Sequence, residues 1–114
     1  MQSKKFLEWF EKQGLLRIAK NNFIHFRKVF RECLDATNED ILIICDNGYP
    51  DKRISPLMAV SYYYAAQKLG LNARLVAQAP KLKGENTSDE VIEALRVLKN
   101  ESIIILSLSH RLGG

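Results

Sequence analysis

Cysteine and histidine are scarce in this sequence, which has two of each among 114 residues. Cys33 and Cys45 lie outside any Cys-x-x-Cys pattern, so two reduced, buried thiols are expected rather than a disulfide or a catalytic cysteine. His25 and His110 stand far apart, and neither has a second ligand type at metal-binding spacing. We therefore predict no metal site in this chain.

Long apolar runs and nucleotide-binding fingerprints are also missing. The longest apolar segments have the length of a strand, well short of the roughly 20 residues that span a bilayer. No apolar signal core follows the N-terminal lysines, so we expect a cytoplasmic protein without membrane contact. Behind the first predicted strand stands one glycine, Gly48, where a dinucleotide fingerprint needs three, and the glycine-rich phosphate loop is absent as well.

Positive charge is concentrated in the N-terminal part of the chain. Residues 1–31 contain eight Lys or Arg against two Glu, a charge of +6, which leaves −2 for the remainder of a chain whose net charge is +4. Such a segment can attract nucleic acid or an acidic partner, but it is also typical of a solvated helix face. Because Phe6, Trp9 and Phe10 follow a helical stripe, we expect them to pack inward rather than to stack on bases.

Hydrophobic periodicity predicts helices over residues 3–13, 15–35, 55–69 and 88–99, and strands over 41–45, 72–78 and 102–108. Strands that alternate with helices predict an α/β fold with parallel pairing and right-handed crossovers. The second strand alternates polar and apolar residues, which favours an edge position and the strand order 2-1-3.

This pattern predicts a three-layer α/β domain with flanking helices, which corresponds to half of a flavodoxin- or Rossmann-like fold. Two N-terminal helices precede it, so residues 1–35 form a basic helical unit and residues 36–114 form the α/β domain.

The order 2-1-3 places the topological switch point, where α/β proteins bind ligands, between the carboxyl ends of strands one and three. Seven polar residues are expected near it: Asp46, Asn47, Lys52, Arg53, Ser55, Ser109 and His110. We predict Ser55 as the N-cap of the following helix, with Pro56 at its first position. The helix start and the two preceding cations favour a small anion, such as a phosphate or carboxylate.

Three of these residues, Asp46, Ser109 and His110, have the side-chain types of a nucleophile, a base and an orienting acid. The glycines of a nucleophile elbow are absent beside them, and turn hydrogen bonds explain Asp and Ser at strand ends. We assign no catalytic residue in this chain.

The third strand, which contains Ile103-Ile-Ile-Leu106, is too apolar for an exposed sheet edge, because such edges pair with other chains. We expect a further strand there, from a continuing chain or from another subunit. The chain is therefore predicted to be the N-terminal part of a longer protein that forms a homo-oligomer.

Two segments, Ile41-Leu-Ile-Ile-Cys-Asp-Asn-Gly-Tyr-Pro-Asp-Lys-Arg-Ile-Ser-Pro56 and Ile103-Ile-Ile-Leu-Ser-Leu-Ser-His-Arg-Leu-Gly113, resemble the N-terminal part of archaeal proteins similar to the aminopeptidase T (AmpS-type) metallopeptidases. The resemblance covers residues 36–114. It implies an α/β domain that packs on a C-terminal domain, where Glu, His, Tyr and Asp ligands hold two divalent metal ions, zinc or cobalt. None of those ligand motifs stands in this sequence.

The first functional hypothesis is therefore a non-catalytic N-terminal α/β domain of a metal-dependent aminopeptidase-like protein. It would shape the cleft and contact a missing C-terminal domain or a second subunit, and it would be inactive alone. One alternative is a stand-alone module that binds a small anion or nucleotide at the predicted switch point. Another is a basic interaction module, although nucleic acid is not the expected partner.

Overall fold

The computed structural model of the chain describes residues 2–28, 30–31, 40–50, 52–80, 88–98 and 102–109, with the backbone alone for residues 22–25. Seven elements lie in the described part: α1 (Ser3–Lys12), α2 (Leu16–Lys28), β1 (Asp40–Asp46), α3 (Ile54–Lys68), β2 (Ala73–Gln78), α4 (Asp89–Arg96) and β3 (Ser102–Ser107). The sequence predicted each of these elements to within a few residues, apart from the end of the second helix, which lies outside the described residues.

The three described strands form one parallel sheet in the order β2-β1-β3. Ile43 in the middle of β1 stands opposite Leu75 of β2 and Ile105 of β3. The α/β class, the parallel pairing and the predicted strand order are therefore confirmed. The central position suits β1, because its residues from Ile41 to Asp46 are buried on both faces of the sheet.

One face of the sheet is covered by α1 and α3. Ile43 and Cys45 of β1 share a core with Phe6 and Phe10 of α1, and both rings are fully buried. The aromatic stripe of the N-terminal helices thus packs inward on the sheet layer, as its helical spacing predicts. The α2 helix packs on the outer side of α3, where the rings of Phe26 and Tyr62 meet edge to face at 4.5 Å.

The beginning of α1 also protects the outer edge of β2. The Ser3 hydroxyl accepts the backbone N–H of Leu75 at 2.9 Å and donates to the carbonyl of the same residue at 3.2 Å. Next to it, Gln2 forms an antiparallel bridge with Val76, and its side-chain oxygen accepts from Arg74. These contacts occupy backbone groups that an edge strand would otherwise offer to another chain.

The opposite face of the sheet is covered only in part by the residues that the structure describes. Val91 and Ala94 of α4 pack on Leu42 and Ile44 of β1 and on Val76 of β2. The side chains of β3 on this face, Ile104 and Leu106, remain 45% and 52% exposed. An apolar strip thus lies open beside α4.

Candidate functional site

The carboxylate of Asp46 lies at the carboxyl end of β1 and is only 1% exposed. Its Oδ1 accepts the backbone N–H of Gly48 at 2.9 Å and the Ser109 hydroxyl at 2.7 Å. Its Oδ2 accepts the backbone N–H of Ser109 at 2.7 Å. Three protein donors thus occupy most of the acceptor capacity of this carboxylate. Asp46 joins the ends of β1 and β3 rather than presenting an open binding group.

Ser55 is buried directly beneath this contact. Its hydroxyl lies within hydrogen-bond reach of the Ser107 carbonyl and accepts weakly from the Asp46 backbone N–H at 3.4 Å. In return, the Ser107 hydroxyl donates to the Ser55 carbonyl at 2.9 Å. The start of α3 is thereby fastened to the ends of both β1 and β3.

This arrangement corrects one sequence prediction, because Ser55 does not cap α3. The helix begins at Ile54 and its N-cap is Arg53, and among the described residues no side chain caps the free N–H groups there. The Ser55 hydroxyl instead satisfies groups at the strand ends. At the other end of α3, Gly70 adopts φ +76°, the left-handed conformation that its predicted capping role requires.

The loop between β1 and α3 is held in a tight turn. Tyr49 and Lys52 exchange two backbone hydrogen bonds at 2.9 and 3.0 Å. Gly48 precedes them at φ +70°, and a Cβ built on it would lie 2.5 Å from the Lys52 carbonyl oxygen. Only glycine therefore fits at position 48 without movement of the backbone. Lys52 itself is exposed and lies on the outside of this turn.

Arg53 is also engaged within the molecule. Its guanidinium donates to the Asn47 carbonyl at 2.6 Å and lies 4.9 Å from the centre of the Trp9 ring, a cation–π distance. This contact ties α1 to the loop behind β1. The cation predicted to attract an anion at the start of α3 is thus already engaged by a backbone carbonyl and an aromatic ring.

An open cleft of about 920 Å³ lies over the carboxyl ends of β1 and β2. Its lining includes two cations and one acid, and consists of Gln2, Lys4, Lys5, Asn47, Ala77, Gln78, Ala79, Ser88 and Glu90. The Asn47 backbone N–H is held by the Gln78 carbonyl at 3.1 Å, whereas its side-chain Oδ1 is buried and has no hydrogen-bond partner among the described residues. The volume falls within the range of small-molecule sites.

The N-terminus of α4 forms one wall of this cleft. Its N-cap is Ser88, whose hydroxyl accepts from Val91 N–H at 3.4 Å. The Gln78 side chain, at the end of β2, accepts the Ser88 backbone N–H at 3.0 Å. Gln78 stands where a dinucleotide-binding fold carries its ribose-binding acid, but here the side chain fixes the start of a helix.

Cys45 lies next to the Asp46 cluster and is fully buried. Burial strongly raises the pKa of its thiol, and the negative charge of Asp46 raises the pKa further. A thiol that stays protonated is a poor nucleophile and a poor metal ligand. The residue acts as a small apolar side chain in the core.

The structure brings together Asp46, Ser55 and Ser109 and places Asn47 and Arg53 beside them. Lys52 stands apart on the turn, and His110 lies outside the described residues. Lys4, Lys5 and Ser88 were not predicted as site residues. No local signal in the sequence marks them, because only the packing of α1 and α4 brings them to the strand ends.

No family model, curated protein or solved structure matches this chain. The resemblance to aminopeptidase T therefore stays a prediction. Within the described residues, no helix has the length and apolar character needed to cross a bilayer. In the same part of the chain, no three His, Cys, Asp or Glu side chains converge as metal ligands would.

Proposed function

We propose that this chain is a non-catalytic α/β domain of a metal-dependent aminopeptidase-like protein, in which it shapes the substrate cleft and contacts a partner domain or subunit. The resemblance at residues 36–114 supports the protein class. The observation that carries the contact role is an apolar groove on the α4 side of the sheet. We call this groove, formed by Val91, Leu95, Ile104, Leu106 and Leu108, the α4–β3 groove.

The groove encloses about 220 Å³ and is almost entirely apolar, with Gln78 at one end. Single exposed apolar residues are common on protein surfaces, but contiguous ones that form a concave strip mark interaction sites. Ile104 and Leu106 alternate along β3 with Ile103 and Ile105, which face the opposite layer. The strand is thus apolar on both faces, although the described residues bury Ile103 and Ile105 only in part and leave Ile104 and Leu106 exposed.

Photo-crosslinking in the natural protein tests this role directly. A benzoylphenylalanine at Leu106 should crosslink to a peptide from a metal-binding domain or from another subunit of the same protein. Val97, which is 60% exposed but lies on the other flank of α4, serves as the matched control. Equal crosslinking from the two positions, or crosslinks to unrelated proteins alone, would count against a dedicated interface.

The enzymatic part of the proposal needs a separate assay. Residues 1–114 with added zinc or cobalt should release no N-terminal residues from peptides, whereas the whole natural protein should do so. Chelation should abolish that activity, and either metal should restore it. A whole protein that stays inactive with both metals would overturn the aminopeptidase assignment and leave the contact role to stand alone.

A second candidate function is the binding of a small anion or nucleotide, and the 920 Å³ cleft favours it. Lys4 and Lys5 supply two positive charges to its lining, against the one carboxylate of Glu90. This cleft lies over β1 and β2, so the candidate differs from the predicted site between β1 and β3.

Thermal unfolding with inorganic phosphate or ADP tests this second function, because a ligand that binds the native state raises its melting temperature. The Lys4→Gln/Lys5→Gln variant should lose the shift. Lys12→Gln, an exposed lysine at the far end of α1, should keep it. The absence of any shift with either probe would exclude these anions as ligands.

A further inference from the structure

Asn47 and Gly48 form an Asn-Gly pair directly behind the central strand, and no other asparagine of the chain is followed by glycine. Such a pair is chemically labile, because a glycine has no side chain to shield its backbone nitrogen from the asparagine before it. The glycine nitrogen attacks Cγ of the asparagine, the new N–C bond closes a succinimide ring, and the side-chain nitrogen leaves as ammonia. Water then opens the ring to aspartate or to isoaspartate, in which the backbone runs through the side-chain carbon.

The structure holds the nitrogen that would attack. The Gly48 backbone N–H donates to Asp46 Oδ1 at 2.9 Å, and both residues are buried. Ring closure requires this nitrogen to lose its proton and to carry negative charge. A carboxylate at hydrogen-bond distance repels that charge, and burial keeps away the water that would solvate it. Asp46 therefore opposes the reaction at the same place where it braces the strand ends.

The asparagine is held as well. Its backbone N–H donates to the Gln78 carbonyl at 3.1 Å, which extends the pairing of β1 with β2 by one residue. Its carbonyl accepts from the Arg53 guanidinium at 2.6 Å, and its side-chain Oδ1 is buried. The rotation that brings Asn47 Cγ onto the Gly48 nitrogen displaces the groups that make these contacts. Ring closure thus requires the loop behind β1 to open first.

We propose that Asn47 is a latent deamidation site, which the folded loop protects and which reacts when the loop opens. Isoaspartate would not refit the loop, because it adds one carbon to the backbone. A single Cβ built on Gly48 already lies 2.5 Å from the Lys52 carbonyl oxygen and 3.3 Å from Pro56 Cδ. Aspartate would place a charged oxygen where Oδ1 is buried without a hydrogen-bond partner among the described residues, which is unfavourable. The reaction therefore marks, irreversibly, the molecules in which the loop has opened.

Peptide mapping by mass spectrometry at mildly alkaline pH tests the proposal on the folded protein. A synthetic peptide of residues 44–52, which lacks Gln78 and Arg53, gives the rate of the unprotected pair in the same buffer. Asn47 in the folded protein should react at least about tenfold more slowly than in this peptide, because the open form is a small fraction of the molecules. In urea the whole chain should react at Asn47 first, ahead of its other asparagines.

Asp46→Ala tests the cause of the protection, because it removes the group that holds the Gly48 N–H and repels charge on its nitrogen. It should accelerate deamidation in the folded protein at least about tenfold. Val91→Ala is the control for lost stability, since Val91 is buried under α4, away from the loop. It should accelerate the reaction far less. Circular dichroism verifies folding, and Arg53→Gln, which releases the Asn47 carbonyl, serves with the same expectation should Asp46→Ala not fold.

Asn47→Asp reproduces one product and should lower the melting temperature of the protein. Isoaspartate-containing chains, collected from the urea sample and refolded, should melt lower still, because their loop is longer by one carbon. Equal rates in the folded protein and the peptide would overturn the protection, and an unfolded chain that does not favour Asn47 would overturn the site. Asp46→Ala no faster than Val91→Ala would remove the role of Asp46. Isoaspartate chains that refold with an unchanged melting temperature would disprove the irreversible step.

Discussion

Ser109 contacts the carboxylate of Asp46 with two different donors, its backbone N–H at Oδ2 and its hydroxyl at Oδ1, both at 2.7 Å. The contact closes the carboxyl ends of β1 and β3 against each other. Hydrogen bonds to a charged acceptor are about twice as strong as neutral ones. The residues that sequence patterns mark as a ligand site therefore act, in this structure, as a brace between the central strand and an edge strand.

Asp46→Asn should lower the free energy of unfolding by about 2–3 kcal/mol. The new amide keeps one oxygen for Gly48 N–H and the Ser109 hydroxyl. Its NH₂ group, however, must face the backbone N–H of Ser109, and a donor cannot satisfy a donor. Urea unfolding followed by circular dichroism measures the change.

Asp89→Asn is the control for this substitution. Asp89 is exposed in the first turn of α4, so the loss there is confined to its interaction with the helix dipole, about 0.3–1 kcal/mol. If Asp46→Asn costs no more than Asp89→Asn, Asp46 is not the brace that we infer.

Gly48→Ala and Gly70→Ala separate backbone conformation from steric contact. Both glycines have a similar positive φ, +70° and +76°. A Cβ on Gly48 would stand 2.5 Å from the Lys52 carbonyl oxygen, whereas a Cβ on Gly70 meets no atom within 4 Å. We expect a loss of about 1 kcal/mol for Gly70→Ala from conformation alone and about 3 kcal/mol for Gly48→Ala.

Unfolding experiments on the two variants give this comparison directly. Equal losses would mean that the turn behind β1 relaxes freely. In that case the close approach of Gly48 to Lys52 would not define the loop.

The strand order could be predicted because β1 is apolar on both faces, whereas β2 carries Arg74 and Gln78. The roles of those two polar residues could not be predicted, since they depend on partners in other helices and loops of the fold. Arg74 holds the side chain of Gln2, and Gln78 holds the N-cap of α4. Ser55 was misjudged for a similar reason: Ser-Pro is a common helix start, and only the fold brings Ser107 close enough to compete for its hydroxyl.

Cys45 should be almost unreactive toward iodoacetamide in the native protein, at least about a hundredfold slower than in denaturant, because reaction needs both exposure and the thiolate. Burial raises its pKa, so raising the pH toward 10 should not restore reactivity while the fold persists. Mass spectrometry of the peptide that contains Cys45 follows the reaction. Rapid native alkylation of that peptide would contradict the buried position.

The same raised pKa predicts the direction of a pH effect on stability. The unfolded thiol ionises near pH 8.5, whereas the folded thiol does not. The contribution of Cys45 is therefore present below about pH 8.5 and declines as the pH rises above it. Cys45→Ala should remove this part of the stability loss at alkaline pH. The free energy of unfolding, measured from unfolding curves, should then differ less between pH 7 and pH 10 than in the wild type.

Ser3→Ala should expose the outer edge of β2. The Ser3 hydroxyl satisfies both backbone groups of Leu75, so its removal leaves a partly buried N–H without a partner and costs about 1–2 kcal/mol. Ser61→Ala is the control, because its hydroxyl donates to Leu57 within α3, and its loss should cost less than about 0.5 kcal/mol.

Hydrogen exchange at the Leu75 amide distinguishes a local from a global effect. In Ser3→Ala this amide should exchange faster than the amides of β1, since an edge opened at Ser3 frees Leu75 first. Uniform acceleration across the sheet would instead mean that Ser3 contributes only to overall stability. An unchanged Leu75 rate would show that α1 protects the edge through Gln2 and Phe6 without the serine.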